Sequence, residues 1–300
     1  MGAGNVTLSS GHGSNRVNAP SGLSTQIVLI VLGAGVLHAL WNAIVKHIGD
    51  GLTAFALIGF VASIAGGLIL AIAGLPYRAA IPFAVGSAVI HIGYELALMN
   101  SYRLGAFNQT YPIARGTSPL VVAVGAYFLA DERLPAIALA GVGVLATGLM
   151  ILTTSSGRLA RADLPAVGAA VLTGLAIAAY TLVDGLGVRR AHGPYSYAAL
   201  LFLLQGPVFP LVAAFRRPVS SWSSPGTLSR GLAAGALSLV AYGAVLWAQT
   251  KAPLAEVAAL RETSVISAAL IGTLFLNERF GKRRLAAAVL VATGIVLISL

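Results

Sequence analysis

Between Leu23 and Val45 there is no Asp, Glu, Lys or Arg, and between Gly51 and Tyr77 there is none either. Runs of that length match the roughly 20 apolar residues a helix needs to cross about 30 Å of hydrocarbon. Eight more follow, at about 79–102, 107–130, 134–154, 164–186, 195–215, 230–250, 254–276 and 283–300. They are too long and too evenly apolar for barrel strands, whose side chains alternate in and out. The pattern predicts an all-α integral membrane protein with ten transmembrane helices. Composition points the same way: 9% of the residues are charged and 57% hydrophobic, whereas soluble domains carry about 25% charged residues.

Turn chemistry separates the runs: Gly-Asp-Gly at 49–51, Leu-Pro at 75–76, His-Gly-Pro at 192–194 and Ser-Ser-Pro-Gly at 223–226. Residues 1–22 have no apolar core of the kind a secretory signal needs, and read as a disordered tail or a misplaced start. The chain has no cysteine, which excludes a disulfide framework and thiolate metal sites. Net charge is +10, but the basic residues sit in short loops. No basic and aromatic run makes a nucleic-acid surface, so the expected partners are a lipid bilayer and a small molecule.

The two halves resemble each other. RGTSPLVVAVGAYFLADERL at 115–134 aligns with RETSVISAALIGTLFLNERF at 261–280, an offset of 261 − 115 = 146. The same offset carries Glu132 to Glu278 and Thr147-Gly148 to Thr293-Gly294. Chance likeness between apolar helices matches Leu and Ala, not Arg, Thr-Ser and Glu-Arg in register. The expected units are 23–155 (spans one to five) and 164–300 (spans six to ten), joined by a connector at 156–163. Five spans is an odd number, so the second copy crosses the bilayer in the opposite sense. Inverted repeats of this kind hold a substrate site near the midplane of many transporters.

Ionisable residues inside a span are costly and mark function or interhelical bonding. Span one places His38, Trp41 and Asn42 on one face, and span three His91, Tyr94 and Glu95. Span four carries Tyr111 and Arg115, span six Tyr180 and Asp184, span eight Tyr242 and Trp247, and span nine Arg261 and Glu262. Such faces line a wet cavity or bond across helices. Arg115 and Arg261 recur in both halves, which favours a scaffold role, pairing with carbonyls, Glu95 or Glu262. The unrepeated residues are the better substrate candidates. Glu95 and Glu262 are carboxyl groups in an apolar setting, suited either to carrying a coupling proton or to permanent pairing with an arginine. Pro112 and Pro119 flank Arg115, and Pro207 and Pro210 fall in span seven, where each removes a backbone donor. Gly66-Gly67, Gly141, Gly143 and Gly148 predict close helix packing. Glu132-Arg133 and Glu278-Arg279 read as headgroup anchors.

HALWNAIVK in span one, YPIARGTSPLVVAVGAYFLADERL through span four and AALRETSVISAALIGTLFLNERF through span nine resemble the EamA family of the drug/metabolite transporter superfamily. The resemblance covers the chain from residue 25 onward in two copies. It implies ten helices, a bacterial inner membrane with both termini cytoplasmic, and alternating-access export of small metabolites such as amino acids. It also implies a cavity among spans one, three, four, six, eight and nine. Gly116 becomes Glu262 in the second copy, which adds negative charge beside Arg261. Loop charge opposes the implied orientation: eleven Lys and Arg follow odd-numbered spans, against six in the tail and after even-numbered ones.

No GxxxxGK[ST] motif is present, so the energy source is a gradient. The chain has no HExxH and no GxSxG, and its histidines are scattered, so neither an enzyme nor a cofactor or metal is expected. A channel or a non-transporting membrane protein is the alternative to a transporter. Oligomeric state, substrate and coupling ion are not specified by the residues.

Overall fold

The computed structural model describes residues 23–104, 107–153, 164–218, 222, 224–265, 267 and 282–300. Every regular element among them is helical. Helix α1 (Thr25–Ile48) starts at Ser24, whose hydroxyl accepts from the Ile27 N–H at 3.4 Å. Helix α2 (Gly51–Ala73) starts at Asp50, whose carboxylate accepts from the Thr53 N–H at 3.1 Å. It stops at Gly74, with φ +74°, a conformation glycine adopts without a steric penalty. The second span is therefore shorter than the apolar run through Tyr77. A 3-10 turn at Arg78–Ala80 leads into α3 (Ile81–Leu104).

Helices α4 (Phe107–Leu129), α5 (Ala136–Thr153) and α6 (Leu164–Val188) follow. The seventh run is split into α7 (Pro194–Gln205) and α8 (Val208–Arg216) around Gly206-Pro207. Helix α9 (Pro225–Gln249) begins before the predicted residue 230, because Ser224 caps it by accepting from the Thr227 N–H at 3.4 Å. Helix α10 (Leu254–Arg261) gives way to a turn at Glu262-Thr263, where the sequence predicts uninterrupted helix. Helix α11 is Lys282–Ser299. The tail at 1–22, the connector at 156–163 and Glu278-Arg279 lie outside the described residues.

Among the described residues six helices are long and apolar enough to cross a membrane: Thr25–Val45, Gly51–Ala73, Arg78–Ser101, Leu164–Val188, Pro194–Arg216 and Pro225–Gln249. Ile113–Leu129, Ala136–Ile151 and Ala286–Ser299 are shorter apolar helices. The largest packing pairs are α5 with α11, α3 with α6, α1 with α9, and α2 with α7 and α8.

Glycines set the closest approaches, as expected where helices associate without a hydrophobic driving force. A Cβ at Gly141 would lie 2.8 Å from the Gly294 carbonyl oxygen, and one at Gly148 3.0 Å from that of Ala287. A Cβ at Gly66 would meet the Ala199 carbonyl at 2.7 Å. Gly143 is a correction: nothing lies within 4 Å of the place its Cβ would take, so it is not a packing residue.

Candidate functional site

Helices α1, α2, α3, α6, α7, α8 and α9 enclose a cleft of about 770 Å³, its open mouth included. From α1 it is lined by His38 and Trp41, and from α3 by His91, Tyr94 and Glu95. Tyr180 of α6 and Tyr242 of α9 complete the polar wall. The i, i+3, i+4 spacing in α3 turns its three side chains to one side, and there the aromatic rings converge. The His91 ring lies 4.0 Å from that of Tyr180 and 5.3 Å from that of Tyr242, and Tyr94 lies 5.4 Å from Tyr180. Glu95 makes no hydrogen bond and no ion pair among the described residues. Two further atoms on cleft residues, Gln205 Oε1 and His91 Nδ1, are buried without a hydrogen-bond partner.

Behind this wall sits a buried ionic cluster. Arg115 of α4 donates through Nη1 to both carboxylate oxygens of Glu262, at 3.1 and 3.3 Å. Arg261 Nη2 approaches the same carboxylate at 3.5 Å. Arg115 is 2% exposed and Glu262 0%, so each charge depends on the other in a medium where an unpaired ion is very costly. The Arg261 guanidinium also lies 5.5 Å from the centre of the Tyr180 ring and donates to Thr181 Oγ1 at 3.4 Å. Of the two carboxylates open to the arginines in sequence, Glu262 takes both and Glu95 takes neither. His38 abuts the Arg115 guanidinium through Nε2, while Trp41 Nε1 donates to its Nδ1 at 3.2 Å. A neutral imidazole offers one acceptor nitrogen, so these two contacts compete.

Asp184 forms a second buried centre. It accepts from the Tyr197 hydroxyl at 2.8 Å and from the Tyr242 hydroxyl, and His91 Nε2 lies 4.0 Å away. Tyr197 belongs to α7 and was not singled out in sequence; a tyrosine at the start of an apolar helix carries no signal of its partner.

Several predicted site residues lie elsewhere. The Asn42 amide donates back to the His38 carbonyl at 2.7 Å and does not line the cleft. Trp247 lines a separate cleft at the loop face, with Lys251 and Glu256. Arg115, Asp184, Arg261 and Glu262 stand behind the wall rather than on it. The Tyr111 side chain lies outside the described residues. Conversely, Gln205 and Ser238 line the cleft and were missed. The lone amide of Gln205 in an uncharged span, just ahead of Gly206-Pro207, was the available signal.

Glu132 is also a correction. It is not a headgroup anchor: its Oε1 pairs with Arg189 Nη1 at 2.7 Å, and its Oε2 accepts from the Leu254 N–H, which opens α10, at 2.7 Å. Arg189 in turn donates to the carbonyls of Gln249 and Ala252, each at 2.8 Å. The clamp ties together the loop-face ends of α4, α6, α9 and α10. Burial pushes the Glu132 carboxyl above its usual range, against the pull of Arg189. At the opposite face Arg217 pairs with Asp50 at 3.0 Å and holds that carboxyl below its usual range. Among the described residues no group of three or more His, Cys, Asp or Glu could hold a metal.

Long apolar helices around a cleft with polar residues on its wall are those of a multi-pass membrane protein. Residues 164–300 match the model of the EamA-like transporter family. A crystal structure described only as that of a protein shares the fold, with a TM-score of 0.74 at 16% identity, over 92% of this chain and 98% of that one. No curated protein matches in sequence.

Proposed function

We propose that the chain is a gradient-driven secondary transporter that exports a small metabolite, amino acids being one candidate class, across a bacterial inner membrane. The observation that carries this reading is the cleft itself. It lies among helices of both halves and presents within an aromatic wall the carboxyl group of Glu95, which has no partner among the described residues.

Alternating access requires two units that can exchange roles. The helix pairing supports a ten-span inverted repeat. Moving five spans along converts the α3–α6 pair into the α9–α1 pair, and both are extensive. The α5–α11 contact supports it residue by residue. The 146-residue offset carries Gly141 to Ala287 and Gly148 to Gly294, so the Gly141–Gly294 approach and the Gly148–Ala287 approach are images of each other.

The cleft reaches Phe55 near the start of α2 and Phe209 at the start of α8, in the second half of the seventh span, which supports a mouth on the side of Asp50 and Arg217. The Glu132–Arg189 clamp ties the other end. The two clefts are separate, which favours a carrier over a channel. Glu262 is committed to two arginines, so a coupling proton belongs on Glu95. Both termini are assigned to the cytoplasm, against the loop charge count. Purified protein in liposomes should move a metabolite when a pH gradient is imposed. Absence of flux across a broad metabolite panel would remove the reading.

A further inference from the structure

We infer that the cleft is built for organic ammonium ions, and that a carboxylate on the same molecule weakens binding there. This deepens the transport reading and rests on it for the role of the cleft.

The argument is an inventory of charge and of unmet hydrogen bonds. Arg115 and Arg261 are both held by Glu262 behind the wall of the cleft. Asp184 is occupied by two tyrosine hydroxyls, with His91 beside it. The carboxyl group left on the wall without a partner among the described residues is Glu95. On the same wall, Gln205 Oε1 is a buried acceptor with no donor among the described residues. A buried acceptor left unmet costs about 1–3 kcal/mol, and more when it is charged. An ammonium group has donors and no acceptor, so it supplies what both residues lack. The rings of Trp41, Tyr94, Tyr180 and Tyr242 add faces that attract a cation. A carboxylate would find no guanidinium or ammonium on this wall among the described residues. An ionised Glu95 would repel it as a like charge. The other titratable groups on the wall are His38 and His91; His38 abuts Arg115, and His91 faces Asp184 and three tyrosines.

The test uses the full chain in detergent at pH 7 with three probes of similar size: phenethylammonium, 3-phenylpropionate and phenylalanine. Phenethylammonium should raise the melting temperature and bind in calorimetry, phenylalanine should bind at least tenfold more weakly, and 3-phenylpropionate should not bind. Glu95→Gln should weaken phenethylammonium at least tenfold while the unliganded melt holds, and Gln205→Leu should weaken it a few-fold. Equal binding of the carboxylate, unchanged amine binding in Glu95→Gln, or no binding of any probe overturns the inference. Flux assays in liposomes separate it from the transport reading. Transport of solutes with no preference for amines overturns this inference alone. Amine binding without flux of any solute overturns transport alone.

Discussion

Arg115 Nη1 lies 3.1 Å from Glu262 Oε2, and Arg261 reaches the other oxygen of the same carboxylate at 3.5 Å. One buried anion thus holds two buried cations from different helices. Glu262→Gln leaves the two guanidiniums facing each other without a counter-charge. Removing one partner of a buried pair costs about 3–5 kcal/mol, so this variant should melt well below the parent in detergent. An unchanged melt would mean that the cluster is not structural.

Glu132→Ala removes both the ion pair to Arg189 and the acceptor for the Leu254 N–H. The expected cost is about 1–3 kcal/mol, felt locally at the start of α10. Hydrogen exchange should show loss of protection at residues 254–256, while α2 exchanges as before.

The α5–α11 seam allows a matched pair of substitutions. Gly141→Ala brings a methyl group 2.8 Å from the Gly294 carbonyl oxygen, whereas Gly143→Ala meets nothing within 4 Å. The first overpacks the seam, at about 1–3 kcal/mol. The second should be neutral or slightly stabilising, because alanine is favoured over glycine inside a helix by about 0.5–1 kcal/mol. Thermal melts of the two variants should move apart accordingly.

A pH dependence follows from Asp50 and Arg217, 3.0 Å apart. Pairing lowers the folded-state value of the Asp50 carboxyl beneath its unfolded value of about 3.9. The stabilisation is therefore present above that pH and is lost as pH falls through the lowered value. Both side chains are about 40% exposed, so solvent screens the pair and its contribution is small. Asp50→Asn keeps a capping side chain and removes the charge. Its melt should lie slightly below the parent at pH 7 and converge with it towards pH 3.

Helices were legible from the sequence because apolar runs are long and caps are local: Ser24, Asp50 and Ser224 each act within three residues. The polar face of α3 was legible for the same reason, since His91, Tyr94 and Glu95 share a turn. What could not be read was partnership across helices. Nothing local says that Arg115 pairs with Glu262 rather than Glu95, that Tyr197 donates to Asp184, or that Glu132 turns inward to Arg189. Trp247 was misplaced for a related reason: it lies five residues past Tyr242, beyond the reach of the cleft and under the loop face. The break after Arg261 was hidden because Glu262-Thr263 contains no proline or glycine to announce it.

The most direct test of the account uses the absence of native cysteine. Ser238 lines the cleft on α9. A Ser238→Cys protein, reconstituted in sealed liposomes with known orientation, is exposed to a membrane-impermeant thiol reagent from each face in turn, with and without an imposed pH gradient. Alternating access predicts labelling from both faces, with the ratio shifted by the gradient. Labelling from one face alone under every condition, or from neither, would contradict it.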